Sequence, residues 1–275
     1  MTAPGLYLDR VRQKQPLVHN ITNYVTANDV ANLLLAVGAR PIMADDPAEA
    51  AQITAGCDAL HLNLGTLSSR TVPSLLSAGQ AANRLGHPVV LDPVGVGASD
   101  FRAKTARELL KTVKFSAVRG NISEIRTLAA LHSAAHGVDA DPADAITEDR
   151  MDAAKDLIRS FARRTGAVIA VTGAVDLVAD GQRCFVVRGG RPEMGRVTGT
   201  GCQLSALTAA FLAANPDEPL EAVTAAVCAM DLAGELGWDR LAPGEGNMAY
   251  RDRIIDSIYH MTGSQLEKGA RFALE

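Results

Sequence analysis

The stretch VTGTGCQLSA, residues 197–206, sets a Gly-Thr-Gly turn against a run that reads as helix, QLSALTAAFLAA. A helix start leaves its first backbone N–H groups unpaired at the positive end of the dipole, which suits an anion such as a phosphoryl group in transfer. Gly199, Thr200 and Gly201 make the turn that leads into the helix. No Gly-Lys-Ser/Thr follows, so it is not a Walker-type phosphate loop. Cys202 falls in the first turn, where the helix field favours thiolate. For any one cysteine, a small buried apolar residue is the better reading.

The other candidates stand at the ends of apolar runs. Asp92 closes VVLD ahead of a glycine-containing loop, PVGVG. A carboxylate there can hold Mg²⁺ directly or through water, or cap a turn while Pro93 enforces extended backbone. In AVRGNISEIRTL, Arg119 ends a run, and its planar fork suits phosphate. Asn121 with Glu124 three residues on matches a capping box that needs no ligand, and it equally sets a carboxylate where water-mediated Mg²⁺ would bind. Thr172 ends AVIAVTG and offers a hydroxyl to a nucleotide. In LVHNITNYVTAND, His19, Asn20, Thr22, Asn23 and Asn28 are more polar groups than helix capping requires. A small heteroaromatic ligand could use them, with Met43 as an adaptable apolar wall.

These residues need a scaffold that gathers strand ends. Short apolar runs at 17–20, 39–44, 58–64, 87–92, 115–120 and 167–173 read as strands. They alternate with helical patterns such as YVTANDVANLLLAVG, where Val30, Leu33, Leu34 and Val37 recur at three- and four-residue spacing. Arg163 and Arg164 followed by Gly166 mark a helix end. Runs apolar almost throughout indicate burial on both faces, hence a parallel sheet in an open α/β fold. In such sheets ligands bind beyond the carboxyl ends of the strands. Asp180-Gly181 between two β-like runs predicts a hairpin. After Gly201 the chain reads as almost entirely helical: 202–214, 219–237 and about 246–262. The turn-rich segment 132–150 reads as an excursion before a helix, not a domain boundary.

Bulk properties narrow the function classes. With 275 residues and 47% hydrophobic content, a single large α/β domain with a sizeable core is expected. The net charge of −4 and the lack of a basic block argue against nucleic acid as a partner. MTAPGLYLDR lacks the pattern of a signal peptide, and no apolar run reaches the roughly 18 residues of a membrane span. Four scattered cysteines, never in C-x-x-C, argue against a zinc knuckle or disulfide scaffold. A soluble cytoplasmic protein is expected.

The motifs together resemble the hydroxyethylthiazole kinase family of the ribokinase-like superfamily. The likeness runs almost end to end through VHNITNYV-x₂-N, ANLLLAVGARPIMADDP, LNLGTL, VVLDPVGVGAS, VRGNISEI, VTGTGC and GEGNMAYRDRIID. The resemblance implies ATP- and Mg²⁺-dependent phosphorylation of 4-methyl-5-(2-hydroxyethyl)thiazole, a salvage step of thiamine biosynthesis. It implies a three-layer fold, a central largely parallel sheet flanked by helices, without a separate lid domain. By position, Asn23, Met43 and Gly199 match thiazole-side contacts, and Arg119, Asn121 and Thr172 the nucleotide side. Asp92 and Glu124 match the metal group, and Gly199–Cys202 the anion hole. Cys202 stands where the wider superfamily carries an aspartate base. The resemblance also implies a homotrimer with active sites near subunit boundaries. Two rivals remain: a kinase for a hydroxymethylpyrimidine or pyridoxal-like alcohol, and a non-catalytic thiazole- or nucleotide-binding regulator.

Overall fold

The computed structural model describes residues 3–132 and 150–275. Most of the turn-rich segment 132–150 therefore lies outside the described residues. All six expected strands form: β1 (Leu17–Ile21), β2 (Arg40–Met43), β3 (Ala59–Asn63), β4 (Val89–Asp92), β5 (Ala117–Gly120) and β6 (Val168–Val171). They pair in parallel in the order β2-β1-β3-β4-β5-β6. The predicted hairpin is β7 (Asp176–Ala179) and β8 (Cys184–Val187), which extends the same sheet antiparallel. Its turn is held by Asp180 Oδ1, which accepts the backbone N–H groups of Gln182 and Arg183 at 2.7 and 2.6 Å. A ninth strand, β9 (Phe272–Leu274), adds antiparallel to β8, so the region after Gly201 is not wholly helical. Its three residues are too short for an alternation signal. All described strands belong to this one sheet.

Helices cover both faces. On one lie α1 (Pro4–Lys14), α2 (Ala27–Val37), α8 (Thr200–Ala214) and α9 (Pro219–Asp239), with α10 (Asn247–His260) packed against α9 and α2. On the other lie α3 (Ala50–Ala55), α4 (Thr71–Leu85), α5 (Asp100–Thr112), α6 (Ile122–His132) and α7 (Met151–Thr165). A short α11 (Gly263–Gly269) docks on α1. Helices α1, α3 and α11 were not expected. Two cores follow strand alternation: Val18, Ala59, Val90, Ala117 and Ala170 pack on α8 and α9, while Leu60, Leu62, Leu91 and Val118 face the opposite helices. The spacing in α2 buries Val30, Leu33, Leu34 and Val37 completely, each worth roughly 1.5–3 kcal/mol. Gly38, at φ 94°, then ends the helix.

The order β2-β1-β3 carries a functional consequence. The chain runs outward from β1 to β2, then returns past β1 to form β3. That reversal opens a crevice between the carboxyl ends of β1 and β3, the usual ligand position in an open α/β sheet.

Candidate active site

On the face toward α8, the carboxyl ends of β1, β3, β4, β5 and β6 carry Asn20, Asn63, Asp92, Arg119 and the following Thr172. Strand alternation aims these side chains at the start of α8. That helix begins at Gly199, whose φ of 88° favours glycine and whose Cβ would lie 2.5 Å from Thr26 Cγ2. Gly201 is constrained differently. A Cβ there would lie 2.3 Å from Arg119 Nη1, so the guanidinium rests directly on the helix's first turn. Arg119 also donates to Thr172 Oγ1.

One cavity opens on this turn, and a second reaches it through Asn23 and Asn63, which bond Cys202. One, of about 510 Å³, is lined by Arg119, Thr172, Thr200 and Gly201 at its polar end and by Pro192, Met194, Leu204 and Met230 elsewhere. The other, of about 470 Å³, lies at the β1/β3 crevice and is lined by Asn20, Asn23, Met43, Asn63 and Leu75 among others. A third cavity, of about 380 Å³, opens at the opposite edge of the sheet beside Pro88, Ser116 and Val168 and includes none of the predicted residues.

Between the two clefts runs a buried hydrogen-bond chain. Asn23 Nδ2 donates to Asn63 Oδ1 at 3.0 Å and to Cys202 Sγ at 3.3 Å. Asn63 Nδ2 donates to Cys202 Sγ at 3.3 Å and to Asp92 Oδ2 at 2.9 Å. Ser205, one turn along α8, donates from Oγ to the same Asp92 oxygen at 2.8 Å. Asp92 Oδ1 is buried without a partner. Burial pushes the Asp92 carboxyl up to about 6, with the charge of Glu124 adding to the rise; Arg119 and the donors Ser205 and Asn63 oppose it. A fully buried acid with one open oxygen at a strand end has the donor character of an Mg²⁺ ligand. Among the described residues no group of three or more His, Cys, Asp or Glu forms a closed metal cage. Mg²⁺ commonly binds through one or two carboxylates plus phosphates and water, so the set fits that ion.

Of the two readings of Cys202, the buried thiol suits its surroundings better than the helix-stabilised thiolate. Burial raises the thiol's pKa first and the Asp92 charge raises it further, against the hydrogen bonds from Thr26, Asn63 and Asn23. Low-dielectric surroundings and a neighbouring carboxylate outweigh the helix field, so the sulfur is a neutral thiol.

Both readings of Asn121–Glu124 coexist. Asn121 Oδ1 accepts the Glu124 N–H at 2.8 Å, and Glu124 Oε2 accepts the Asn121 N–H at 2.9 Å, a reciprocal cap. Glu124 Oε1 accepts the N–H of Gly95 at 2.9 Å, tying the loop after β4 to α6. Its remaining lone pairs leave room for an outer, water-mediated role. Asn121 is spent on the cap and lines neither cleft.

Sequence reasoning missed three contributors. Asn63 links Asn23, Cys202 and Asp92, and lies within the quoted LNLGTL. Ser205 follows Cys202 by three residues, the spacing that shares a helix face. Arg102 donates to the carbonyls of Leu64 and Gly65 and to Val94 O at 2.7 Å, binding together the loops after β3 and β4. No local signal distinguishes Arg102 from the other cations of α5.

The fold is shared with ribokinase-like structures. A structure of pyridoxal kinase from Staphylococcus aureus in complex with ADP superposes with a TM-score of 0.61 at 16% identity, covering 94% of this chain and 97% of that one. The likeness narrows further in sequence. The chain belongs to the hydroxyethylthiazole kinase family, whose family model matches residues 8–264. It is 52% identical to a hydroxyethylthiazole kinase of Clostridium acetobutylicum over 96% of this chain and 97% of the relative. The structure of a hydroxyethylthiazole kinase protein from Pyrococcus horikoshii OT3 matches with a TM-score of 0.87 at 37% identity, covering 99% and 98% of the two chains.

Proposed function

We propose that this protein transfers the γ-phosphoryl group of ATP to the hydroxyl of 4-methyl-5-(2-hydroxyethyl)thiazole, with Mg²⁺, in thiamine biosynthesis. Membership of the family carries the substrate class. The observation that carries the chemistry is that the larger cleft opens on the N-terminus of α8, while Asn23 and Asn63 of the β1/β3 crevice bond Cys202 in the first turn of that helix and Asn63 bonds buried Asp92. The larger cleft takes ATP, its phosphates toward Arg119, Thr172 and the helix start. The β1/β3 crevice takes the thiazole, with Asn23 and Gly199 at its polar end and Met43 on its wall.

The alcohol oxygen bonds to the γ-phosphorus as the bond to the ADP oxygen breaks, and the hydroxyl proton leaves to the phosphate product or solvent. This transfer has a loose transition state, so positioning and charge neutralisation dominate and little prior deprotonation is needed. The N–H groups opening α8, at Thr200, Gly201 and Cys202, stabilise the transferring oxygens. Arg119 adds positive charge against the same turn. Asp92 and Glu124 would hold Mg²⁺, directly or through water, and the ion would neutralise phosphate charge. Asn121 acts by fixing Glu124. Cys202, a neutral thiol, shapes the place of the alcohol without serving as a strong base.

The chain is read as one domain forming a cytoplasmic homotrimer. Four free, buried cysteines suit a reducing compartment. Tyr24 at 83% exposure and Val25 at 56% place apolar surface beside the thiazole cleft, where a neighbouring subunit would cover it. No described helix is long and apolar enough to cross a membrane.

The test is turnover with Mg²⁺-ATP and a panel of the thiazole alcohol, a hydroxymethylpyrimidine and pyridoxal. Phosphorylation of the thiazole alcohol with the highest kcat/KM is expected. Preference for either other alcohol overturns the substrate, and no turnover of any overturns the catalytic reading. Sedimentation of a fully active monomer would overturn the trimer.

A further inference from the structure

The larger cleft contains two carboxyls that the reaction above does not use. Asp176, at the start of β7, and Asp231, within α9, are 6% and 8% exposed and both line it. Asp176 Oδ1 accepts the Gly173 N–H at 2.7 Å. No N–H or hydroxyl reaches Asp231 Oδ2, which is sealed from bulk solvent. Asp176 and Asp231 are near enough that each acts on the other's proton affinity. Burial pushes Asp176 up to about 6, and burial together with the charges of Asp176 and Glu235 raises Asp231 well above the carboxylate range, against Arg271.

The contacts along this cleft have an order. Gly201 touches Arg119, which donates to Thr172, and the next residue, Gly173, donates to Asp176. Asp176 and Asp231 both line the cleft at this point. Asp231 lies under the glycine pair Gly189-Gly190, where a Cβ would come within 2.8 Å and 3.2 Å of its carboxyl oxygens. Gly190 in turn lies against Met194 Sδ. The cleft therefore runs from a cationic, N–H-rich end through an acid pair to an apolar end of Met194, Pro192 and Met230. A nucleoside triphosphate has the same sequence of parts: phosphates, a vicinal diol, a flat base.

We propose that Asp176 and Asp231 form the ribose subsite of this cleft, accepting hydrogen bonds from the vicinal hydroxyls of the nucleoside triphosphate. The inference rests on the reading of this cleft as the nucleotide site. Carboxylate oxygens accept from hydroxyls readily, and a charged acceptor makes the stronger bond. Burial and the neighbouring Asp176 charge favour a protonated Asp231, which limits repulsion of the phosphates. Gly189 and Gly190 let the backbone close over Asp231 and fix its carboxyl.

The test compares ATP, 2′-deoxy-ATP and 3′-deoxy-ATP by calorimetric binding and by steady-state turnover of the thiazole alcohol, in wild type, Asp231→Asn and Asp176→Asn. Wild type is expected to bind ATP about tenfold more tightly than at least one deoxy analogue, the scale of one hydrogen bond to a charged group. Asp231→Asn is expected to lose most of that preference through the nucleotide KM, with KM for the alcohol unchanged. The analogue series on wild type needs no variant to fold. Equal binding of all three nucleotides by wild type overturns the subsite. So does unchanged sugar preference in both variants, or a change in ATP-against-GTP preference in place of a sugar effect. Wild type that binds ATP with sugar discrimination but phosphorylates no alcohol would refute the catalytic reading and leave the subsite standing.

Discussion

Asp92→Asn is expected to stabilise the protein while disabling it. Burial pushes the Asp92 carboxyl up to about 6 from an ordinary value of 3.8. At about 1.4 kcal/mol per tenfold change in proton affinity, ionised Asp92 costs the fold ~3 kcal/mol at neutral pH. The sign follows from proton binding. Between 3.8 and about 6 the native state holds a proton that the unfolded chain has released, so stability falls as pH rises through that window and is flat above it. Asparagine can put its carbonyl oxygen in the place of Oδ2 and keep the donors Asn63 Nδ2 and Ser205 Oγ. Its amide nitrogen then takes the place of Oδ1, which has no partner, and an unpaired buried donor costs about 1–3 kcal/mol. The net gain at pH 7.5 is ~0–2 kcal/mol, or at most about 4–8 °C in Tm for a domain of this size. Activity with Mg²⁺-ATP should fall about 10²–10³-fold, the scale of losing one preorganised electrostatic group. The assay is paired: thermal melts in EDTA without nucleotide at pH 7.5 and pH 4.5, and kcat at saturating substrates. A variant that melts below wild type at pH 7.5, or whose advantage is the same at pH 4.5, refutes the electrostatic reasoning. Full activity refutes the metal role.

Four further outcomes are expected. Gly201→Ala should raise the ATP KM at least about tenfold, because its Cβ would displace Arg119; an unchanged KM removes Arg119 from the nucleotide site. Ser205→Ala should cost about 1.5–3 kcal/mol at pH 7.5 by denaturant titration, and should move the acid limb of the kcat profile upward, since it removes a donor that holds the Asp92 carboxyl down. Iodoacetamide at pH 7.5 should label Cys202 at least about 100-fold more slowly in the folded than in the unfolded protein, because the buried thiol stays neutral; rapid stoichiometric labelling would restore the thiolate. Glu124→Gln should lower kcat more than stability, the latter by about 1–2 kcal/mol, since one of two backbone N–H groups loses its acceptor; turnover unaltered across a Mg²⁺ titration would leave Glu124 as a cap alone.

The sequence by itself determined the parts that are local. Near-continuous apolar runs are legible as parallel strands because both faces are buried, and all six formed within a few residues of their expected bounds. The i, i+3, i+4 pattern of α2, the Gly166 stop of α7 and the Asp180 hairpin are each fixed by nearest-neighbour chemistry. Asp92, Arg119 and Thr172 were readable as site candidates because each stands at or just beyond a strand end, where an α/β sheet binds ligands. Tertiary structure decided the rest. Cys202 illustrates the reason: the local helix field argues for thiolate, but burial and the charge of Asp92, 110 positions away in the chain, raise the thiol's pKa. Asn63, Ser205 and Arg102 gained their roles through partners on other elements, and Asp176 met Asp231 only when β7 packed beside α9. Strand β9 has three residues and exists because β8 offers it an open edge. Hydrophobic periodicity and caps are properties of a short window. Proton affinity and hydrogen-bond satisfaction depend on which distant groups share a low-dielectric interior, and that is settled only when the sheet order is.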